Sequence, residues 1–195
     1  LLPGGNLRES VRGSRRADII IVTKCPADMK PIDMRIIEHE VRPSIYHPVF
    51  FSTYVYDEPL PLFIRYADEH WLFKKVKKRN ASILLVTGIV SPQMINTYLA
   101  DYSTDIRSLH FNDHHDFSKK DIMLIEKKFN EIQNQEKLIL VTEKDAARLI
   151  KNKAVPNSLK YYIFVLPIRV EILNYKETAL IKKITDYVAE NSGNR

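Results

Sequence analysis

The sequence predicts an α/β fold: a mostly parallel sheet with helices on both faces, joined through a small β linker to the tail of a second α/β domain. Three observations carry this. From Ser82 onward, strand-like and helix-like segments alternate four times, the pattern of strand-helix-strand crossovers in one sheet. Ala17 to Thr23 is a continuous, largely β-branched run, which suits a strand buried on both faces of a parallel sheet. Strand-like runs also end in turns rich in hydroxyl, imidazole and carboxylate groups, and an open α/β sheet presents its reactive side chains at that edge.

Taken in order, Leu1 to Arg16 is a Gly-, Arg- and Ser-rich loop without hydrophobic period. After the Ala17–Thr23 strand, Pro31 suits the first turn of a helix with Ile32, Ile36, Ile37 and Val41 inward, and Pro43 stops it. Ile45 to Tyr56 is aromatic and alternating, the mark of extended segments, broken near Pro48, in a small separate sheet. The Pro-containing passage to Ala67 is a connector, and Asp68 to Arg79 has the pattern of a helix with Leu72, Phe73 and Val76 inward. Ser82–Thr87 is a strand, followed by a helix that Ser91-Pro92 starts and that carries Ile95, Tyr98, Leu99 and Tyr102. Asp105–Phe111 is a strand, and Ser118 begins a helix with Ile122, Ile125, Phe129 and Ile132 at helical spacing. Leu138–Val141 is a strand, and Thr142 opens a shorter helix to Ile150. Tyr161–Leu166 is a strand, and Asn174 with Glu177 starts a last helix with Leu180, Ile181, Ile184 and Val188 inward. The expected organisation is residues 1–43 as the tail of an N-terminal domain, 44–67 as linker and connector, and 68–195 as the C-terminal α/β domain.

At 195 residues and a formal charge of +6, the chain has room for a sizeable core and favours an anionic partner. The basic residues cluster at Arg8, Arg12, Arg15 and Arg16 and again at Lys74, Lys75, Lys77, Lys78 and Arg79, patterns that a solvated surface also produces. No apolar run approaches the roughly 20 residues of a membrane-spanning helix, and a single cysteine, Cys25, excludes an intrachain disulfide. The composition is that of a soluble chain. The start at Leu1, in a loop-like Leu-Leu-Pro-Gly-Gly, reads as a piece of a longer polypeptide.

The densest chemistry lies in His110-Phe111-Asn112-Asp113-His114-His115-Asp116-Phe117, which holds three of the six histidines. With the sheet predicted above, this turn should meet Thr87-Gly88 and Thr142 to Asp145 at one edge, a place suited to a phosphorylated ligand. Asp113 beside His114 fits an oriented general base, a metal site or a hydrogen-bonded turn. Asp113-His114-His115 also occurs in manganese phosphoesterases, although the further aspartate motifs those sites need are missing. A non-catalytic anion-binding α/β module is the third reading. Ser118 and Thr142 suit the plainer role of helix caps.

Five blocks in order carry a resemblance. They are Leu1 to Glu9, Arg16 to Lys24, Leu85-Val86-Thr87-Gly88-Ile89, His110 to Phe117, and Val141-Thr142-Glu143-Lys144-Asp145-Ala146. Together the sequence resembles the tetraacyldisaccharide 4'-kinase family over most of its length. The resemblance implies two α/β domains joined by a two-stranded linker. It implies phosphorylation of the 4' position of a lipid A disaccharide precursor with ATP and Mg²⁺, in an interdomain cleft. It places the enzyme peripherally on the cytoplasmic face of the bacterial inner membrane, with lipid substrate and anionic membrane surface as partners and no nucleic acid. Lys74 to Arg79 would then meet anionic headgroups.

No Gly-x-x-x-x-Gly-Lys-[Ser/Thr] loop and no Asp-Asp dyad occurs in this sequence, so the chain is expected to be the C-terminal part of such a kinase, inactive alone and binding neither ATP nor metal. Residue by residue, the resemblance makes Arg8 and Glu9 active-site residues on the phosphate-loop side and His114 the histidine that pairs with a catalytic aspartate, Asp113 supporting it. Thr87, Gly88, Thr142, Glu143 and Lys144 are candidate substrate-binding residues. Ser10 and Asn112 stand where many members have proline.

Overall fold

The computed structural model describes residues 11–41, 44, 46–66, 80–88 and 93–192. In chain order the first elements are β1 (Ile20–Val22), α1 (Pro31–Val41), β2 (Val49–Tyr56), β3 (Leu60–Pro61), β4 (Ser82–Thr87) and α2 (Gln93–Ala100). They are followed by β5 (Ile106–His110), α3 (Lys119–Asn130), β6 (Lys137–Thr142), α4 (Glu143–Leu149), α5 (Asn157–Lys160), β7 (Ile163–Leu166), β8 (Ile168–Ile172) and α6 (Glu177–Ser192). The chain forms two compact units, Tyr56–Ile168 and Leu1–Val55 with Arg169–Arg195.

The sheet of Tyr56–Ile168 runs in the order β3-β7-β6-β4-β5. The pairs β4–β5, β4–β6 and β6–β7 are parallel, and β3 adds an antiparallel edge. Successive side chains of a strand point to opposite faces, and both faces here are covered. Ile83 and Leu85 of β4 pack with Ile95 and Leu99 of α2, while Leu84 and Val86 pack with Ile122, Ile125 and Phe129 of α3. An apolar residue is therefore favourable at each of these consecutive positions, which explains the unbroken run in the sequence. The predicted inward residues are all buried: Ile122, Ile125 and Phe129 on α3, and Ile132 just past its end. Pro61 sits in the edge strand, where its missing N–H costs least.

The other unit holds a three-stranded sheet, β1-β2-β8, with β1 parallel to β2. Its core comprises Cys25, Met34, Val49 and Phe51, with Ile20, Val22, Ile37, Val41 and Leu173 packed against it. Cys25 is buried, and desolvation raises the pKa of its thiol.

Several expectations are corrected. The Ala17–Thr23 strand is only β1, and Ile21 on it is exposed, so it is not enclosed on both faces. In α1 the inward residues are Met34, Ile37 and Val41, while Ile32 and Ile36 are exposed. Among the described residues of α6 Leu180 is buried, while Ile181, Ile184 and Val188 are exposed. Asn174 does not cap α6 but lies in a short 3-10 turn, Leu173–Tyr175, with φ 60°. Arg169–Arg195, expected with the parallel sheet, cluster instead with Leu1–Val55. β3, α5 and β8 correspond to no segment expected from the sequence. The expected helix over Asp68–Arg79 with its basic cluster, the Ser91-Pro92 start, Pro43, and the candidates Arg8 and Glu9 lie outside the described residues.

Candidate functional site

β4 leads through α2 to β5 on one side, and β6 then joins β4 on the other. The carboxyl ends of β4 and β6 thus flank a topological switch point, where open α/β sheets leave a crevice for ligands. Gly88, just after β4, donates its N–H to Asp145 Oδ2 at 3.0 Å. Thr142, at the end of β6, donates its hydroxyl to the same oxygen at 2.6 Å and accepts the Asp145 N–H at 3.3 Å. Phe111, just after β5, donates its N–H to the Thr87 carbonyl at 2.9 Å. A Cβ at Gly88 would stand 2.8 Å from the Asn112 carbonyl oxygen, so only glycine lets the first and second turns approach this closely. The three turns come together as the sheet order requires.

On the rim of this junction, Asp113 and His114 are held by α4. Lys144 forms an ion pair with Asp113 Oδ1, and the same oxygen accepts the His114 N–H at 3.0 Å. The His114 ring has Nε2 3.6 Å from Asp113 Oδ2 and Nδ1 3.3 Å from Arg148 Nη2. Arg148 also lies 3.5 Å from Asp116 through Nε. His114 has a left-handed backbone with φ 61°, and its side chain is 76% exposed. Such a conformation at a non-glycine residue costs about 1–3 kcal/mol and persists where surrounding contacts over-determine it. Asp113 and α4 supply those contacts.

His115 is set differently. Its ring stacks on Phe111 with centroids 4.8 Å apart, meets Phe117 edge-on, and places Nε2 3.0 Å from Asp121 Oδ2. Asp121 is the N3 residue of a full capping box with Ser118 at the start of α3. Hydrogen bonding to the Ser118 side chain, helped by its N–H and by His115, lowers the Asp121 pKa. Ser118 and Thr142 are both helix caps, as the plainer reading had it.

The other sequence candidates divide between rim and scaffold. Thr87 is fully buried under the turn, and Glu143 accepts the Ile168 N–H through Oε2 at 3.2 Å. Lys144 stands on the rim beside Asp113. Two residues of the site were not singled out from the sequence. Asp145 is 1% exposed and ties two turns together, with its Oδ1 left without a partner; the signal was there in Thr142-x-x-Asp145, which repeats the spacing of Ser118-x-x-Asp121. Arg148 gave no signal, because its place beside His114 follows from the register of α4, one turn beyond Lys144.

Asp113 and His114 contact each other and turn to Lys144 and Arg148, whereas His115 turns away to Asp121. That divergence is the opposite of the converging ligand set a phosphoesterase metal needs. No group of three or more His, Cys, Asp or Glu side chains suited to a metal occurs among the described residues.

An open, mostly parallel sheet with polar turns gathered at its switch point defines an α/β domain with the crevice of that architecture. The chain belongs to the tetraacyldisaccharide-1-P 4'-kinase family, whose model matches residues 1–189. Curated relatives named tetraacyldisaccharide 4'-kinase include one from Bacteroides thetaiotaomicron, 43% identical over 100% of this chain and 52% of its own length. One from Phocaeicola vulgatus is 41% identical with the same coverage, and one from Flavobacterium johnsoniae is 35% identical over 98% of this chain and 51% of its own. The chain thus spans about half the length of the curated relatives it matches. No solved structure matches it significantly. Among the described residues no helix is long and apolar enough to cross a membrane.

Proposed function

We propose that this chain is part of an ATP-dependent lipid kinase that phosphorylates the 4' position of a tetraacyldisaccharide 1-phosphate in lipid A biosynthesis. Family membership and the names of the relatives support the reaction class. The observation that carries the site is His114, exposed on a strained turn and held through its peptide and its ring. In this reading the acceptor sugar meets the rim at His114, which orients and exchanges a proton with a catalytic carboxylate from outside this sequence, and Asp113 holds the turn in place. Arg8 and Glu9 are active-site residues on the phosphate-loop side, with Arg8 available to a phosphate. Gly88, Thr142 and Lys144 shape the rim, with Thr87 and Glu143 fixing the turns behind it. ATP and Mg²⁺ are bound by residues outside this chain, and the 195-residue chain alone has no kinase activity. The enzyme works peripherally at the cytoplasmic face of the inner membrane, with Lys74 to Arg79 toward anionic headgroups.

The test is steady-state kinetics and thermal melting of His114→Ala in the complete enzyme, with His115→Ala as control. His114→Ala should lower kcat at or below the ~10²-fold end of acid-base effects, with KM changed less. His115→Ala, which loses a packed ring and a carboxylate contact, should act mainly on the melting temperature. Equal and small kinetic effects at both positions would remove His114 from the site.

A further inference from the structure

We infer that Arg148 is a positioning residue for His114, holding its imidazole in the tautomer that carries the proton on Nε2. The inference rests on the proposed role of His114 and names what sets that side chain.

The argument starts from donor chemistry. A guanidinium has five N–H donors and no acceptor. With Arg148 Nη2 3.3 Å from His114 Nδ1, the imidazole nitrogen must offer its lone pair, and the proton of the neutral ring then lies on Nε2. That nitrogen sits 3.6 Å from Asp113 Oδ2, on a side chain 76% exposed. Its hydrogen thus lies beside the Asp113 carboxylate, on a solvent-exposed ring.

Arg148 is itself fixed. Its Nη1 donates to the Lys144 carbonyl at 3.5 Å, one turn back on α4, and its Nε lies 3.5 Å from Asp116 Oδ1. Lys144 pairs with Asp113, which in turn accepts the His114 N–H. The peptide of His114 is therefore tied to α4 through Asp113 and Lys144, and its ring is tied to α4 through Arg148. Water would satisfy an exposed imidazole without help. A left-handed residue fastened at two points by one helix is instead arranged to present one ring nitrogen in one direction. The chemistry this suits is donation of Nε2–H to a carboxylate, which orients that carboxylate toward an acceptor hydroxyl.

The experiment has two arms. In the first, long-range ¹H–¹⁵N spectra of the 195-residue chain are recorded at a pH where its imidazoles are neutral. His114 should show Nδ1 unprotonated and Nε2 protonated in the native chain, and Arg148→Ala should move it toward the mixed tautomers of free imidazole while the His115 signals stay in place. Arg148→Met, which keeps the apolar stem and removes the donors, gives the same reading if the alanine variant does not fold. Identical His114 spectra in the native chain and in a folded variant would overturn the inference. In the second arm, the complete enzyme carrying Arg148→Met should lose up to about 10²-fold in kcat with KM nearly unchanged, and Arg148→Lys should recover part of it. A tautomer change with unaltered kcat would sustain the assignment of Arg148 and overturn instead the catalytic use of His114.

Discussion

The two compact units respond differently to the same kind of sequence signal. In Tyr56–Ile168 the apolar stripe predicted for α3 is buried at each of its four positions. In the other unit, α1 and α6 carry stripes just as regular, yet Ile32, Ile36, Ile181, Ile184 and Val188 are exposed. The difference lies in the sheets. The five-stranded sheet offers two apolar faces wide enough to cover several helices, whereas the core around β1-β2-β8 is small and, among the described residues, takes up Met34, Ile37 and Val41 of α1 and none of α6. Amphipathic spacing thus states that a face favours cover, and only the neighbouring element determines how much it receives.

The largest expected effect tests this contrast directly. Leu140→Ala, at the centre of the five-stranded sheet with no exposed surface, should destabilise its unit by about 2–5 kcal/mol through lost transfer energy and a cavity. Ile184→Ala on α6 should stay within about 0.5 kcal/mol, as for surface substitutions in general. Hydrogen exchange of amides in each unit separates the two responses, and comparable losses would break the comparison.

A middle effect is expected at the junction of the turns. Gly88→Ala drives a methyl against a backbone carbonyl, which should cost about 1–3 kcal/mol and displace the turn that bears Asp113 and His114. Asp145→Ala relieves part of that crowding but leaves the buried Gly88 N–H unpaired, a loss of about 1–3 kcal/mol. Chemical denaturation of the single and double variants would sharpen the picture: because the two residues touch, the combined loss should differ from the sum. Strict additivity would mean that the turns are not coupled through Asp145.

The smallest effect concerns the cap of α3. Ser118→Ala should cost about 1 kcal/mol near neutral pH. Asp121, which Ser118 helps to hold ionised, has a folded pKa below its usual value, so its contribution is complete above the unfolded value of ~3.9 and disappears as the pH falls through the folded value. The stability gap between the native chain and Ser118→Ala should accordingly narrow as the pH falls below about 4. Urea midpoints from pH 3 to 7 measure it, and a gap that widens on acidification would contradict the assignment.

The sequence by itself determined the alternation of strands and helices from Ser82 to Leu166, the caps at Ser118 and Thr142, the inward face of α3, and the meeting of three polar turns at one edge. These are legible because they depend on local chemistry: hydrophobic period, a hydroxyl before a helix, and the connectivity rules of parallel sheets. The motif around His114 was legible too, since its residues are adjacent. Only the tertiary structure decided the rest. It set Asp145 as the tie between β4 and β6 and Arg148 as the partner of His114, 34 residues away. It also sent Arg169–Arg195 to join Leu1–Val55 and left the outer residues of α1 and α6 uncovered. The physical reason is common to all four: each depends on which surface lies opposite, and a sequence pattern carries only one side of a contact.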